Sequence, residues 1–453
     1  MRDILLIRPR PDKETIGLQS VMICEPLELE YIVSNLKDTQ YSTEILDMIL
    51  EKKSLEFYIQ KFKPKFVFIS SYISHVNVVK KYCDIIKSVD PNIKTIVGGV
   101  HAEVVPEDFV HNTIDYIIIA NGLATTKKLL TSIEKNVPKE LIEGVYCGIK
   151  IEKETCFKYM PPDRDSVSKY RKHYYYMFHN PCALIKTSFG CPYQCKFCFC
   201  RKITDGKYFS RDMNDVIEEL KTIPEKEIYI VDDDFLFNVN KLNEFCDLLE
   251  KNNIKKRYLV YGRADFIAKN EKIIERLARN GLKAVIVGLE SSNEEELKKY
   301  NKKSDILLNE EAVKILQKYD IECYGTLILG IDWSKKDFDN LYKWIKKINI
   351  KFVNLQPFTP MPGTELFDEY KEKLIIPRTE YEKWDLAHLV VAPSKMSVRA
   401  FYYNTLKLYL KCILRPSNSF YIANKYGYFE SLKLCFKSNT IVWQYLKKII
   451  GGK

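Results

Sequence analysis

Residues 182–200 read "CALIKTSFGCPYQCKFCFC", a strand-like apolar run followed at once by a loop that carries four cysteines. Three of them stand at the spacing Cys191-x3-Cys195-x2-Cys198, and Cys200 follows two positions later. A loop that directly follows a strand of a β/α unit lies at the carboxyl end of the sheet, where such domains place their chemistry. The stretch therefore predicts a metal or cluster site at the start of an α/β domain.

Three thiolates on one short loop are suited to ligate three irons of a [4Fe–4S] cluster and to leave the fourth iron open to a substrate or cofactor. A structural zinc site normally needs a fourth ligand, usually from a second C-x2-C pair. Cys195 and Cys198 form one such pair, and no second pair occurs at zinc spacing. Zinc stays the alternative, and Cys200 is interpreted as a buried loop thiol.

The chain from residue 183 to residue 385 continues as a series of β/α units. Six units predict a partial or full (β/α) barrel, whose active site lies at the carboxyl ends of its strands. The predicted strands are "CALIKTS", "EIYIVDDDF", "KRYLVYGRAD", "KAVIVGLES", "ECYGTLILGI" and "FVNLQPFTP". Polar residues and a glycine stand where these strands end, namely Asp232, Asp233, Asp234, Arg263, Asp265, Glu290, Ser291, Gly330, Asp332, Gln356 and Thr359.

Residues 1–140 also alternate apolar strands with helical patterns. Their five continuous apolar runs predict a parallel sheet covered on both faces, a doubly wound, Rossmann-like domain. The last helical patterns are "PEDFVHN" and "ATTKKLLTSIEK". No G-x-G-x-x-G follows the first strand, which argues against a dinucleotide. The residues expected near a ligand at the strand ends are Ser70, Ser71, Gly98, Gly99 and His101, and the two glycines allow a bulky ligand to approach the backbone.

Two further segments complete the predicted organisation. Residues 141–182 form a connector that ends in the aromatic stretch "YRKHYYYMF", and residues 386–453 form a basic, aromatic helical region. From Lys395 to Lys453 there are 11 Lys or Arg against one acidic residue, Glu430, while the whole chain carries a net charge of +11. Such a region is typical of an anionic membrane surface, a nucleic-acid contact or a solvated helical cap.

The composition, 46% hydrophobic and 29% charged, is that of a globular protein. No apolar run reaches the length of about 18 residues that a membrane span needs. The start, "MRDILLIRPRPDKE", has no small-residue cleavage site and is expected to be a strand rather than a secretory leader. We therefore expect a cytoplasmic protein with reduced thiols.

At the cysteine loop the sequence resembles the radical S-adenosylmethionine (SAM) enzymes, whose signature is C-x3-C-x2-C with an aromatic residue, here Phe197, before the last cysteine. Over residues 1–385 it resembles more narrowly the cobalamin (B12)-binding-domain radical SAM family. The matching stretches are "EPLELEYIVSNL", "VGGVHAEVVPE", "TSFGCPYQCKFC", "VDDDFLFN", "VGLES", "GTLILGI" and "FTPMPGTEL".

The resemblance implies that Cys191, Cys195 and Cys198 hold a [4Fe–4S] cluster, that SAM chelates its open iron, and that a 5′-deoxyadenosyl radical abstracts hydrogen from an unactivated carbon. It implies SAM contacts at Phe197, Asp233, Glu290 and Gly330, with Asp232 and Asp234 as further acceptors for the amino group of SAM. It implies cobalamin contacts at Ser70, Gly98, Gly99 and His101.

Two features bear on the cobalamin. No Asp-x-His occurs in the chain, so that a cobalt without a histidine lower ligand is expected, and this favours methyl transfer. After the fifth strand the family usually has a Gly-Glu-Gly-Glu-like turn, whereas this chain reads "ANGLATT".

The leading hypothesis is a cobalamin-dependent radical SAM C-methyltransferase from an anaerobic host. The second is a radical SAM cyclase or oxidoreductase without methyl transfer, and the third is a zinc-stabilised nucleic-acid-binding protein, with nucleic acid the less expected partner. The aromatic connector and tail predict a lipid, isoprenoid or tetrapyrrole substrate. Flavodoxin or ferredoxin is expected as electron donor, because a basic surface attracts acidic partners. Peripheral membrane contact is a further expectation.

Overall fold

The computed structural model describes residues 2–149 and 160–451, with the backbone alone at 431 and 433–438. Residues 150–159 of the predicted connector thus lie outside the described residues. The strands in chain order are β1 (Ile4–Arg8), β2 (Met22–Ile23), β3 (Thr43–Asp47), β4 (Phe66–Ser70), β5 (Lys94–Gly98), β6 (Tyr116–Ile117), β7 (Tyr175–Tyr176), β8 (Cys182–Ile185), β9 (Ser188–Phe189), β10 (Phe209–Ser210), β11 (Glu227–Ile230), β12 (Arg257–Gly262), β13 (Leu282–Glu290), β14 (Glu322–Leu329) and β15 (Phe352–Pro357).

The α-helices lie mostly between these strands. They are α1 (Leu27–Leu36), α2 (Leu55–Phe62), α3 (Val76–Val89), α4 (Val100–Val104), α5 (Gly122–Glu134), α6 (Cys200–Thr204), α7 (Met213–Thr222), α8 (Val239–Lys251), α9 (Ala264–Lys269), α10 (Glu271–Arg279), α11 (Glu294–Lys299), α12 (Ile306–Lys318), α13 (Lys335–Lys347), α14 (Glu365–Tyr370), α15 (Val398–Ile413), α16 (Pro416–Tyr426) and α17 (Tyr428–Gly451).

The first sheet has the strand order β3-β1-β4-β5-β6, and all its pairs are parallel. The side chains of Ile4, Leu5, Leu6 and Ile7 in the central β1 have no exposed surface. Helices cover both faces of such a sheet, which is why its strands are apolar at every position rather than at every second one. The doubly wound N-terminal domain predicted from the apolar runs is confirmed.

One helix of this domain differs from the prediction. The stretch "PEDFVHN" forms only a 3-10 turn, Pro106–Phe109, and the short helix α4 precedes it. Pro106 supplies no backbone N–H and restricts the preceding Val105 to a non-helical conformation, which separates the two turns.

The second large sheet has the order β8-β11-β12-β13-β14-β15, again with parallel pairs. Amphipathic helices cover its outer face. In α10, for example, Ile273, Ile274 and Leu277 are buried while the charged positions face outward. Six parallel strands joined through helices make the predicted partial (β/α) barrel, which is confirmed.

A buried arginine from the connector links the two domains. Arg164 donates from Nη1 to Glu25 before α1 and from Nη2 to Glu219 of α7, both at 2.5 Å. It also donates to the backbone carbonyl of Leu184 in β8, at 2.7 Å. Charge-assisted hydrogen bonds of this kind lose much of their energy when one partner moves, so they hold the first sheet in place on the barrel.

The three C-terminal helices pack against the open edge of the barrel. They form the helical region predicted from the sequence. Tyr409 of α15 both donates to and accepts from the backbone of Leu355 in β15, each at 2.9 Å. Helix α17 packs on α15 and α16. Within the described part of the chain, no helix combines the length and the apolar character that crossing a membrane requires.

Candidate active site

The cysteine loop is held over the carboxyl end of the barrel by backbone contacts. Gly190 has φ +79°, and a Cβ there would lie 2.0 Å from the carbonyl oxygen of Lys207, so that glycine is required at the start of the loop. The N–H of Lys196 donates to the carbonyl of Tyr300 at 3.1 Å. The Asn301 amide donates to the carbonyl of Gln194 at 2.8 Å. The loop is therefore positioned by a segment more than one hundred residues further along the chain.

The three predicted cluster ligands, Cys191, Cys195 and Cys198, are all half-buried on this loop. Burial raises the pKa of Cys191 to about 12, and negative charge on the other two thiols raises it further. The pKa of Cys198 is instead lowered, because the thiol of Cys200 donates a hydrogen bond to it. Cys200 is half-buried at the first position of α6, where the cysteine loop ends, and its place outside the set of cluster ligands stays a prediction.

The described residues contain no group of three His, Cys, Asp or Glu side chains arranged around a single metal ion. A tetrahedral zinc site needs a fourth ligand besides the three thiols. A cluster that keeps one iron open needs three thiolates.

Two buried cations stand beside the cysteine loop. The guanidinium carbon of Arg263 lies 3.7 Å from the ring centre of Tyr193, and its Nη1 lies 3.9 Å from the sulfur of Cys195. Arg263 also donates to the carbonyl of Lys302 at 2.6 Å. Burial raises the pKa of Cys195, whereas the positive charges of Lys302 and Arg263 oppose that effect. These cations offset the negative charge that three thiolates bring into the site. Sequence reasoning missed Lys302, because it lies in an irregular loop with no motif.

The three consecutive aspartates after β11 have different partners. Asp232 accepts from the N–H and hydroxyl of Thr187 and from the hydroxyl of Ser188, at 2.5–2.6 Å. Asp233 accepts from the N–H of Gly190 at 2.9 Å and so holds the cysteine loop. Both carboxylate oxygens of Asp234 are buried without a hydrogen-bond partner among the described residues. Burial raises the pKa of Asp234 to about 8, although Arg263 and Lys302 act in the opposite direction.

Glu290 ends β13 at a register shift in its pairing with β14, and its φ of +62° lies in the left-handed region. Its Oε1 accepts from Lys302 Nζ at 2.8 Å, and both side chains are buried. A Cβ on Gly288 would lie 2.3 Å from that oxygen and 2.6 Å from Nζ. The glycine of "VGLES" therefore makes room for the buried ion pair.

Two other predicted SAM contacts have clear local roles. The ring of Phe197 packs edge-on against Tyr300, with centroids 5.9 Å apart. A Cβ on Gly330 would lie 2.4 Å from Nε1 of Trp333, which donates to Glu296 at 2.5 Å. Gly330 thus leaves space for the indole beneath the end of β14.

The four predicted cobalamin contacts lie together at the carboxyl edge of the first sheet. Gly99 has φ +103°, and a Cβ there would lie 2.7 Å from the backbone nitrogen of Ser71. The hydroxyl of Ser70, paired with Gly98 across β4 and β5, donates to Glu28 at 3.0 Å. The imidazole of His101 is buried against Asp108, with Nε2 2.8 Å from the carboxylate. Asp108 in turn accepts from Arg378 and Tyr381, so that His101 is fixed in position.

The edge of the first sheet lies next to the cysteine-bearing segment. Helix α4, which directly follows Gly98 and Gly99, packs on α6, which begins at Cys200. Tyr261 of β12 interacts electrostatically with Tyr72 of the first domain and with Cys200 and Asp233 beside the cysteine loop. Both tyrosines are exposed, Tyr72 to 53% and Tyr261 to 39%. The two predicted cofactor-binding edges are therefore neighbours.

An apolar cavity of about 460 Å³ lies between the barrel edge and the C-terminal helices. Tyr176 and Met177 of the connector, Phe352 and Gln356 of β15, and Tyr445 of α17 are among its lining residues. Tyr176 also interacts electrostatically with Tyr261, which lies beside the cysteine loop. One lining residue of the cavity is therefore close to the predicted cofactor-binding edges.

Comparison with known proteins agrees with this architecture. The family model described as the radical SAM superfamily matches residues 185–345, and the model described as the B12 binding domain matches residues 14–130. Together they match more than half of the chain.

Two relatives match along most of the chain. The hopanoid C-3 methylase of Methylococcus capsulatus is 26% identical over 394 residues, which cover 84% of this chain and 75% of that protein. The anaerobic magnesium-protoporphyrin IX monomethyl ester cyclase of Rubrivivax gelatinosus is 22% identical over 393 residues, which cover 82% of this chain and 70% of that protein.

Two solved structures share the fold. OxsB, a cobalamin-dependent SAM radical enzyme with aqua-cobalamin and SAM bound, has a TM-score of 0.71 at 15% identity, with coverage of 98% of this chain and 72% of that one. TsrM, a radical SAM methyltransferase from Kitasatospora setae, has a TM-score of 0.68 at 14% identity, with coverage of 98% and 99%. At these identities the likeness establishes the fold.

The two domains imply a [4Fe–4S] cluster with SAM and a cobalamin. The residues present fit these groups, because the loop offers three thiols, Asp234 offers a buried carboxylate without a partner among the described residues, and a Cβ at Gly98, the end of β5, would have only the Cβ of Ile118 within 4 Å, at 3.8 Å. The chain belongs to the cobalamin-binding radical SAM family and is a radical SAM enzyme with a B12 binding domain ahead of its radical SAM barrel.

Proposed function

We propose that this enzyme is a C-methyltransferase that acts on an unactivated carbon of a large apolar substrate. The observation that carries the proposal is the contact between α4 and α6, which brings the glycine edge of the first domain beside the cysteine-bearing segment of the barrel. Tyr261 of the barrel lies close enough to Tyr72 of the first domain to interact with it electrostatically. A substrate placed between these two edges is within reach of both cofactor sites, as methyl transfer to a substrate radical requires.

The division of labour follows from the contacts. Cys191, Cys195 and Cys198 hold the cluster. Asp234 accepts a hydrogen bond from the amino group of SAM, because, of the three aspartates after β11, it is the one whose two carboxylate oxygens are both buried without a hydrogen-bond partner among the described residues. The carboxylate of Asp233 serves the loop instead. When bound, the cluster with SAM supplies a 5′-deoxyadenosyl radical, and cobalamin supplies a methyl group.

The remaining predicted contacts enter the proposal with narrower roles. Phe197 and Gly330 shape the SAM pocket. The ion pair with Lys302 holds the Glu290 carboxylate in position, and this carboxylate accepts hydrogen bonds from the ribose hydroxyls of SAM. These contacts belong to the barrel over residues 183–385, after a cobalamin domain at 1–140 and a connector at 141–182, with the tail at 386–453.

His101 and the absence of an Asp-x-His motif support a cobalamin without a protein lower ligand. His101 is held by Asp108, and breaking that contact would leave a buried carboxylate without its imidazole partner. We therefore place Ser70, Gly98 and Gly99 against the cofactor through backbone and small side chains, with His101 as a structural support of that edge.

The apolar cavity supports a lipid, isoprenoid or tetrapyrrole substrate. Its lining is mainly aromatic and aliphatic, and a few polar side chains, among them the amide of Gln356 and the carboxylate of Asp385, can orient a substrate. Among the relatives, one is named for a hopanoid and another for a magnesium-protoporphyrin ester. Both names denote large polycyclic molecules.

A radical cyclase or oxidoreductase is the second candidate, favoured by the cyclase among the relatives. The zinc-stabilised nucleic-acid-binding protein is not retained, since the chain is a radical SAM enzyme. Flavodoxin or ferredoxin is proposed as electron donor, attracted by the basic surface.

Isotope transfer separates the two candidates. The enzyme is reconstituted without oxygen with iron, sulfide and cobalamin, then incubated with trideuteromethyl-labelled SAM, reduced flavodoxin and extracts of triterpenoid lipids or porphyrin esters. Methyl transfer predicts a product carrying the label, together with S-adenosylhomocysteine and 5′-deoxyadenosine. A modified product without label, formed with 5′-deoxyadenosine alone, would instead support the cyclase. The Cys198→Ala enzyme is the matched control for both.

A further inference from the structure

The last helix, α17, has apolar side chains on two faces. Tyr445 on its inner face is buried, and Val442 and Leu446 pack against the core. On the outside, Phe429 is 85% exposed, Trp443 63% and Ile450 74%. These three positions are separated by 14 and 7 residues, which is close to four and two helical turns, so they form one slowly drifting stripe.

The same part of the chain is strongly basic. The chain from Lys395 to Lys453 has 11 Lys or Arg and one acid, Glu430. An adjoining groove of about 1050 Å³ combines apolar Leu410 and Leu414 with the cationic side chains of Lys346, Lys407 and Lys411. Lys411 is paired with Asp339 at 3.0 Å, whereas Leu414 at the same rim is largely exposed.

An anionic lipid surface can bind both the exposed apolar stripe and the lysines near it. Aliphatic and aromatic side chains enter the interface between headgroups and acyl chains, while the ammonium groups meet lipid phosphates. A nucleic acid would satisfy the charge and leave Ile450 and Leu414 in water. A second copy of the chain would bring two strongly positive tails together in a symmetric contact.

We propose that α17 and the neighbouring groove dock this enzyme on the surface of an anionic bilayer. The stripe of Phe429, Trp443 and Ile450 lies in the interface, and Lys407 and Lys447 contact headgroups. The inner face of the same helix lines the apolar cavity through Val442 and Tyr445. Docking therefore brings the cavity next to the membrane. The inference goes beyond the proposed reaction and does not depend on it.

Tryptophan fluorescence gives a direct test, because the chain has four tryptophans and Trp333, Trp344 and Trp384 are all buried. The full chain is titrated with vesicles of phosphatidylcholine containing one third phosphatidylglycerol, and separately with pure phosphatidylcholine. We expect a blue shift and quenching by brominated acyl chains with the anionic vesicles only, both abolished by Trp443→Phe combined with Phe429→Ser. An unchanged wild-type spectrum would overturn the proposal without any variant.

Vesicle flotation tests the two parts of the surface separately. Phe429→Ser with Ile450→Ser, and Lys407→Glu with Lys447→Glu, should each lower the floated fraction at least fivefold. Leu307→Ser and Lys52→Glu, exposed changes elsewhere, should leave it unchanged. Binding that survives both tail pairs contradicts the proposal, as does a lipid-free dimer that the Phe429 pair dissociates. Tighter binding to DNA than to vesicles would assign the surface to nucleic acid instead.

Discussion

Lys302 Nζ lies 2.8 Å from Oε1 of Glu290, and both side chains are buried at the carboxyl end of the barrel. The lysine comes from a loop after α11, the glutamate from the left-handed residue that ends β13. The same ammonium lies near the sulfur of Cys195 and the carboxylate of Asp234, and it shifts the pKa of both. One ion pair thus connects the cysteine loop with two predicted SAM-binding positions.

Breaking this pair should destabilise the protein. Lys302→Met leaves the Glu290 carboxylate buried without its cation, which we expect to cost about 3–5 kcal/mol. Urea unfolding of the cofactor-free protein measures the change. The double variant Lys302→Met, Glu290→Gln should recover a large part of the loss. If the single and double variants are equally unstable, the ion pair is not the cause.

A methyl group at Gly288 should disturb the same pair, because a Cβ there would overlap both partners. We expect Gly288→Ala to lower the free energy of unfolding by about 1–3 kcal/mol. Gly122→Ala is the matched control, since a Cβ at Gly122 has no atom within 4 Å and its φ is not positive. Equal effects at the two positions would contradict the packing argument.

Replacing Cys198 and replacing Cys200 should have different effects on cluster binding. Cys198→Ala should abolish cluster binding and SAM cleavage, whereas Cys200→Ala should keep the cluster and remove only the hydrogen bond to Cys198. Iron content and electron paramagnetic resonance after anaerobic reconstitution measure both. Equal loss of iron in the two variants would mean that Cys200 is a ligand.

Asp234→Asn should weaken SAM binding roughly 10- to 100-fold, because it replaces a charged acceptor of the SAM ammonium by a neutral one. Equilibrium dialysis of reconstituted enzyme with labelled SAM gives the affinity. Asp233→Asn is the matched control: its amide oxygen can still accept from the N–H of Gly190, so we expect cluster loading and SAM affinity close to those of the wild type. Unaltered SAM affinity in the Asp234 variant would remove this residue from the site.

The same carboxyl group predicts a pH dependence in the cofactor-free protein. Burial raises the pKa of Asp234 from 3.8 to about 8, so that the folded state holds a proton which the unfolded state has lost over that range. Stability from this group is therefore complete below pH 3.8 and is lost as the pH rises toward 8. The stability of Asp234→Asn relative to the wild type should therefore rise by about 2–4 kcal/mol between pH 5 and pH 8, allowing for relaxation of the site. A constant difference between pH 5 and pH 8 would refute this.

The architecture could be predicted from the sequence because its signals are local. Continuous apolar strands such as Ile4–Ile7 imply a sheet covered on both faces, and helices such as α10 show their buried face by spacing alone. The cysteine spacing is likewise a property of eight consecutive positions. Each of these patterns has the same physical meaning wherever the chain later passes.

Only the tertiary structure decided which side chains have partners. Asp232, Asp233 and Asp234 are the same residue type three times in the sequence. In the structure Asp232 accepts hydrogen bonds from Thr187 and Asp233 accepts one from Gly190, whereas Asp234 is buried without a hydrogen-bond partner among the described residues. Lys302 reaches Glu290 through loop closure that no motif records. Hydrogen bonds between distant segments depend on where the barrel brings their ends together, and that arrangement, rather than local spacing, determines the chemistry of the site.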